Sequence, residues 1–428
     1  MDRPFNTIAV TVLDGVGCGE AIDAHEKYPH DHEANSLVHA SALRSLDAPV
    51  LQSMGIEHIP GLEEMHVQMR TKLHTVCGAY GALEPTFAGK GSPEGHQAIM
   101  GYETQNPYLY FDKTGFPADL IHAIEREISL LLERPVEVIR YPGTDDVSGT
   151  VFIEHPSIGP EHLRSGETPP LKLPIYASSD SVLQIAIHQE VLPQKTIEAI
   201  GHVVREKVCD ALGYRVGRVI MRPFIGTPGN FERIFADRRD YAVDPDGPTL
   251  IDHLTKAGVP VFGIGKAADM LNRRGFPEGS IEKGHDDMER MKILSVWMRK
   301  KRGLIFANLN ATDELFGHRR NPTGYMNHIN TLDRSFGRIT GVMTDRDLLI
   351  ITSDHGNDPT HARHTNHTRE RVPLLISSPR IKTPIILGIR NSYADIAATV
   401  AENFGIEERF GNGKSFLREL GLVDKIGW

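Results

Sequence analysis

Apolar residues in this chain come in short continuous runs, and two of the clearest stop on an aspartate. Thr7 to Leu13 is apolar apart from two threonines and ends at Asp14. Leu348 to Thr352 is followed by Ser353-Asp354-His355. Runs of five to seven apolar residues bounded by Gly and polar positions predict buried, parallel-type strands. The same pattern predicts strands at Leu173–Ser181, Gly217–Phe224, Val259–Ile264, Leu304–Leu309 and Pro373–Ser377. Helical spacing appears at Ala118–Glu133 and Ser392–Phe404. Ala34–Leu51 reads as a helix capped by Asn35 or Ser36, followed by a loop. Strand–helix alternation at both ends of the chain predicts a doubly wound α/β core. Between about Asn106 and Val243 the texture changes to polar helical segments, short apolar runs and Pro-rich loops such as Gly166–Pro170. The expected organisation is a discontinuous core, residues 1–107 and 244–428, with an α+β cap domain inserted at 108–243.

A chain of 428 residues is long for one core, which agrees with two domains. It is 40% hydrophobic and 24% charged, and its net charge of -9 comes with no basic tract. That composition argues against nucleic acid as a partner. No apolar stretch reaches membrane-spanning length, and Met1-Asp2-Arg3-Pro4 begins no secretory segment. Cys18, Cys77 and Cys209 are scattered and odd in number, which points to a reducing compartment without a disulfide framework. The expectation is a cytoplasmic protein that binds neither nucleic acid nor membrane.

Chemistry changes the picture most. In open α/β sheets, sites gather beyond the carboxyl ends of the strands. Asp14 stands there, followed by Gly15, Gly17 and Gly19, which let backbone approach whatever it holds. The strand at Leu304 is followed by Asp313 and His318, and the strand at Leu348 by Asp354, His355 and, twelve residues on, His367. Each pair alone reads as a solvated turn. Converging at one sheet edge, the six supply carboxylate and imidazole ligands for a pair of divalent ions. A Gly-rich loop, Ala88-Gly89-Lys90-Gly91-Ser92-Pro93-Glu94-Gly95-His96, places a hydroxyl before a helical segment. Ser92 is either a helix cap or a nucleophile facing a phosphate. Arg222, Arg233, Arg238 and Arg239 form a basic set in an acidic protein, suited to surface solvation or to bidentate grip of a phosphate.

Asp354-His355-Gly356-Asn357-Asp358-Pro359-Thr360, with Asn366-His367-Thr368-Arg369-Glu370, resembles the signature of prokaryotic phosphopentomutases. These belong to the alkaline phosphatase superfamily, beside the cofactor-independent phosphoglycerate mutases. Asp14–Ala21, Asp313–Arg320, Asp180–Ala186, Arg222–Gly226, Arg238–Ala242, Gly263–Lys266 and Gly413–Leu417 resemble further blocks of the family, so the likeness spans nearly the whole chain. It implies an alkaline-phosphatase-like core. Asp14, Asp354 and His355 would hold one metal, and Asp313, His318 and His367 the other, Mn²⁺ being the expected ion. Ser92 would be the phosphorylated residue, in a loop where the family carries Gly-Lys-Asp-Thr-x-Thr-Gly-His. The chain departs from that pattern at Gly91, Ser92 and Glu94. It also has one extra residue between His355 and His367, with His361 and His364 replacing a Trp-Pro-Gly texture. The substrate side falls to Ser178, Asp180, Arg222, Arg233, Arg238 and Lys266. The reaction implied interconverts ribose or deoxyribose 1-phosphate and 5-phosphate, with a sugar bisphosphate as intermediate and activator, in a monomer or weak homo-oligomer. The rival readings are a mutase or phosphatase for another sugar phosphate, and a metal-binding protein without turnover. The second is disfavoured because all six ligand types and the hydroxyl are in place.

Overall fold

The computed structural model describes residues 3–68, 76–111, 114–141, 170–177, 181–227 and 230–422. Strands β1 (Thr7–Leu13) and β2 (Ala79–Leu83) come first. They are followed by β3 (Val136–Tyr141), β4 (Leu171–Tyr176), β5 (Val182–His188), β6 (Arg218–Thr227), β7 (Asn230–Arg233) and β8 (Arg239–Ala242). The last group is β9 (Val261–Ile264), β10 (Ile281–Glu282), β11 (Gly303–Leu309), β12 (Asp347–Thr352), β13 (Val372–Ser377) and β14 (Ile385–Arg390). The chain divides into two compact units, Met1–Gln105 with Pro245–Trp428, and Asn106–Asp244. The sequence had suggested divisions at 107/108 and 243/244.

The first unit is built on an eight-stranded sheet in the order β10-β9-β11-β1-β12-β13-β2-β14. β1 pairs in parallel with β11 on one side and β12 on the other, Val12 lying opposite both Asn308 and Thr352. The three strands therefore end at one level. β13 runs antiparallel to both of its neighbours. Alternate residues face opposite ways along each strand, as the pleat requires. Ile8, Val10, Phe306, Leu348 and Ile350 pack on one face with Ile99, Ile396 and Val400. Ala9, Leu13, Ile305, Leu349 and Ile351 pack on the other with Leu37, Met326 and Phe336. Both faces are covered, which is why these strands read as unbroken apolar runs. Asn35 caps the helix Ser36–Leu43, its Oδ1 accepting from Val38 N at 3.2 Å. A second helix, Pro49–Met54, begins where a loop was expected, with proline in its first turn. The helices Asp287–Lys300 and Pro322–Thr340 also carry the core, though no sequence signal singled them out.

The second unit has its own sheet, β3-β4-β5-β6-β7, with β8 paired to β6. Its core joins Leu173, Ile185, Val219 and Met221 to Ile121, Ile124, Ile197 and Ile200 of the helices Ala118–Leu132 and Gln194–Val203. Parallel and antiparallel pairs alternate in this sheet, giving an α+β arrangement.

One glycine fixes how the Ser92 helix meets the sheet. The helix Ser92–Ile99 lies so close to the end of β12 that a Cβ on Gly95 would stand 2.1 Å from the carbonyl oxygen of Asp354. Alanine favours a helix interior over glycine by about 1 kcal/mol. Overpacking against backbone costs about 1–3 kcal/mol, and this contact is severe. Gly95→Ala is therefore expected to be net destabilising despite its better helix propensity, read as a lower urea midpoint for unfolding.

Candidate metal centre

Because β11, β1 and β12 are neighbours, their carboxyl ends deliver Asp14, Asp313 and the Asp354-His355 pair to one place. Asp14 directly follows β1, and Asn308 Nδ2 donates to its Oδ2 at 2.9 Å. Asp313 sits in a helical turn just after β11, Thr312–Gly317, and accepts at Oδ1 from Asn357 Nδ2 at 2.7 Å. Asp354 accepts at Oδ1 from the backbone N–H of Gly15 at 3.3 Å. The two loops are clamped by Glu370, whose carboxylate accepts from Ser36 Oγ and Thr368 Oγ1, each at 2.6 Å, and from Ser36 N at 2.8 Å. A Cβ on Gly17 or Gly356 would fall on that carboxylate, at 2.0 and 2.4 Å from its nearest oxygen. Burial, with Asp358 nearby, pushes the Glu370 carboxyl up to about 7.

The three histidines share one orientation. His355 Nδ1 is 3.1 Å from Gly356 O, His318 Nδ1 is 2.7 Å from Thr365 O, and His367 Nδ1 is 2.9 Å from Lys90 O. Each ring can donate its Nδ1 proton outward to a main-chain carbonyl and turn Nε2 inward, as metal-ligating histidines do. Inward, His318 Nε2 lies 3.2 Å from Asp313 Oδ2, and His367 Nε2 is 3.6 Å from Asp313 Oδ1. His355 Nε2 lies 3.2 Å from Asp354 Oδ2 and 3.5 Å from Asp14 Oδ1. His318 Nε2 and His367 Nε2 are 3.2 Å apart, and the rings of His355 and His367 stack at 3.6 Å. Asp313, His318 and His367 form one cation-sized group, and Asp14, Asp313 and His355 another that shares Asp313.

Electrostatics favour cations here. Burial, then Asp354 and Asp313, push the Asp14 carboxyl up to about 7. Burial acts the same way on Asp313, but His318 and His367 outweigh it and hold that carboxyl well below the usual range. Burial alone would lower His355, yet Asp354, Asp313 and Asp14 raise it. Asp14 Oδ1 is buried without a hydrogen-bond partner, and Asp354 Oδ2 has only His96 and His355 beside it, each at 3.2 Å. Buried carboxylate oxygens so sparsely paired, ringed by inward imidazole nitrogens, fit divalent ions.

Ser92 opens its helix beside this group, with Oγ 3.0 Å from His355 Nε2. His96, one turn on, is fully buried. Its Nδ1 is 2.8 Å from Ser92 O and 3.2 Å from Asp354 Oδ2, so it ties the serine's backbone to a candidate ligand. Sequence reading gave His96 no role; its spacing of four from Ser92 on a helix was the available signal. Asn308 carried no signal, and Asn357 stood only as a member of the Asp354–Thr360 block, since only folding sets them beside Asp14 and Asp313.

The proposed substrate residues separate. Lys266, just past β9, pairs with Glu314 at 3.2 Å, and its charge reaches Asp14. Arg222, Arg233 and Arg238 gather in the inserted unit. Arg238 grips Asp240 through Nε and Nη2 at 2.6 and 2.7 Å. Arg222 Nε and Arg233 Nη2 are buried without hydrogen-bond partners. Burial, then Arg238 beside it, draws the Arg222 guanidinium down to about 10. Ser178 and Asp180 lie outside the described residues.

The sheet and the ligand set define a metalloenzyme. The model of the Metalloenzyme superfamily matches residues 6–408. The chain is 37% identical to the phosphopentomutase of Caldanaerobacter subterraneus subsp. tengcongensis, covering 98% of this chain and 99% of that protein. It is 35% identical to the phosphopentomutase of Alkaliphilus metalliredigens over 96% and 98% of the two chains. The chain thus belongs to the phosphopentomutase family of the metalloenzyme superfamily. Among solved structures, a phosphoglycerate mutase of Leishmania mexicana is similar at TM-score 0.47 and 13% identity, covering 97% of this chain and 98% of that one. No helix among the described residues is long and apolar enough to cross a membrane.

The loop between His355 and His367 is pinned by Asp358, whose Oδ1 accepts from Thr360 N and Oγ1 at 2.9 and 2.7 Å. Its Oδ2 lies 2.5 Å from His39 Nδ1. That bond raises the His39 pKa above 6.5 in the folded protein, against the opposing effect of burial. The pair's stabilisation is therefore fully present below the unfolded value of about 6.5 and is lost as pH rises through the raised folded value. His39→Gln should lower the urea midpoint at pH 6 and approach wild type by pH 9. An equal loss at both pH values would remove this pair from the account.

Proposed function

We propose that this protein is a phosphopentomutase that interconverts the 1-phosphate and 5-phosphate of ribose or deoxyribose through a phosphoserine on Ser92. The observation that carries the reading is the Ser92 hydroxyl, 3.0 Å from His355 Nε2 at the start of a helix and beside the ligand cluster. Family membership supplies the reaction class. Asp14, Asp354 and His355 would hold one divalent ion and Asp313, His318 and His367 the other, with Mn²⁺ as the native metal. Bound there, the ions would lower the pKa of the Ser92 hydroxyl and stabilise charge on the phosphoryl oxygens.

The protein's own groups have separate tasks. The helix beginning at Ser92 directs free N–H groups and the positive end of its dipole toward a phosphoryl group on that serine. His96 fixes the serine's backbone against Asp354. Phosphoserine gives its phosphoryl group to the free hydroxyl of a pentose monophosphate. The Ser92 oxygen–phosphorus bond breaks as the sugar oxygen–phosphorus bond forms, leaving a bisphosphate. Return of the other phosphoryl group to Ser92 completes the exchange, so a trace of sugar bisphosphate primes the resting enzyme. Arg222, Arg233 and Arg238, with Ser178 and Asp180, would hold the non-reacting phosphate and sugar from the inserted unit, which would act as the cap. Lys266 would serve from the core. A cap suits a mutase, since water must not intercept the phosphoserine. The reading includes a cytoplasmic enzyme that is a monomer or weak homo-oligomer.

The direct test is incubation with Mn²⁺, a trace of ribose 1,5-bisphosphate and ribose 5-phosphate, following ribose 1-phosphate against free phosphate. Phosphate without ribose 1-phosphate would make the protein a phosphatase instead. Ser92→Ala should abolish turnover, and Ser92→Thr should retain part of it. Intact-mass analysis of wild type should show one added phosphoryl group on the Ser92 peptide. If Ser92 were only a cap, the alanine variant would lose about 1 kcal/mol of stability and keep its turnover. Arg222→Lys keeps the charge but not the planar pair of donors. It should lower kcat/KM by about 10- to 100-fold, as expected for a charge-assisted hydrogen bond of about 1.5–3 kcal/mol. Unchanged kinetics would take Arg222 out of the substrate site.

A further inference from the structure

A second cluster of metal-type ligands lies outside the centre described above. Asp31 ends the short turn Pro29–Asp31 and is fully buried. His361 and His364 come from the loop that follows Asp358. Ligand atoms of the three lie within 4.8 Å of one another. The two imidazole rings stand 4.4 Å apart, tilted by 47°.

Hydrogen bonding within the protein explains only part of this arrangement. His364 Nε2 is 2.7 Å from Asp31 Oδ1. Lys90 Nζ is 2.6 Å from Asp31 Oδ2 and 2.8 Å from Oδ1, and Arg369 N donates to Oδ2 at 2.9 Å. His361 Nε2 and His364 Nδ1 are different: both are buried and neither has a hydrogen-bond partner. His361 Nε2 carries the weight, since His364 already meets Asp31 through its other ring nitrogen, and a buried ring nitrogen without a partner beside such a pair is costly unless something binds it. Asp31 is meanwhile held in place, its Oδ2 by Lys90 and Arg369 N, while its Oδ1 is shared between Lys90 and His364.

We propose that Asp31, His361 and His364 form a third divalent-cation site, separate from the two groups around Asp313. Two imidazoles and one carboxylate, with a fourth position left to water, suit a tetrahedral, borderline ion such as Zn²⁺ rather than Mg²⁺ or Ca²⁺. Tetrahedral bonds of about 2.0–2.2 Å set ligand atoms about 3.4 Å apart, so closure from separations of up to 4.8 Å draws the ligand atoms together by about 1.4 Å at most. The ion takes the place of the proton shared by His364 and Asp31. The Lys90 ammonium gives up its contact with Oδ1 and stays on Oδ2, and its charge makes this site weaker than the two-metal centre. Lys90 stands two residues before Ser92, and its carbonyl accepts from His367. An ion on Asp31 would therefore brace the serine loop from behind.

The test counts metal on the full-length protein, so it does not depend on mutase turnover. After chelation, wild type is dialysed against Zn²⁺ and the bound metal is measured. Three ions per chain are expected, falling to two in His361→Gln/His364→Gln. A background carrying Asp313→Asn and His355→Gln, which removes a ligand from both groups of the described centre, should keep one ion that the further change His361→Gln removes. Co²⁺ in that background should give the visible bands of a tetrahedral site. Should the double substitution at 361 and 364 fail to fold, either single substitution should still weaken binding of the third ion by at least ~10-fold. Two ions in both wild type and the double variant, or none in the disabled background, would overturn the proposal.

Discussion

The parallel pairing of β1 between β11 and β12 is the constraint on which the metal-binding end of the protein depends. Three strands distant in the chain are hydrogen-bonded side by side, in a register that ends them together. Parallel strands point their carboxyl ends the same way. Whatever follows those ends must share one small volume. A shift of one residue in β12 would turn its apolar set to the wrong faces of a sheet covered on both sides, so core packing enforces the geometry of the site.

That geometry crowds like charges. Asp14, Asp313 and Asp354 converge in a buried space, and burial, followed by the charges of Asp354 and Asp313, raises the Asp14 carboxyl toward neutral pH. Imidazoles offset part of the repulsion, but Asp14 Oδ1 is left without a hydrogen-bond donor. Removing one partner from such a group would uncover a buried charge rather than delete a single contact. Cations that bind only the folded arrangement also stabilise it by mass action, so metal content and stability are linked in this protein. Glu370 and Asp358 act at the next layer out. They bind no candidate ligand directly, yet they fix the loops that carry Asp14, His355 and His367.

The inserted unit solves a different problem with similar means. Arg222, Arg233 and Arg238 are brought together on β6, β7 and the segment before β8, with Asp240 to balance part of their charge. Buried guanidinium donors without partners, pressed toward deprotonation by burial and by each other, have a standing demand for an anion. The core unit concentrates buried negative charge, and the inserted unit concentrates buried positive charge.

Much of this was legible in the chain. Buried parallel strands announce themselves as apolar runs because both faces of the sheet are covered, and Asp14, Asp354 and His355 follow such runs directly. His318 and His367 stand at fixed spacings from them. Asn35 was readable as a cap because capping is local. The helices Asp287–Lys300 and Pro322–Thr340 were harder, since residues such as Arg290 and Asp333 are buried among their apolar positions and blur the pattern. What the sequence alone determined is the set of ligand-bearing strand ends and the alternation that makes a doubly wound sheet. Tertiary structure decided which strands are neighbours, and hence that Asp313 lies between two ligand groups. It also set Asn308 on Asp14, Asn357 on Asp313, His96 on Asp354, and Asp31 beside two histidines more than three hundred residues away. The reason is physical. Periodicity and capping are written over a few residues, whereas strand order and the partners of a buried charge are settled only when the whole core packs.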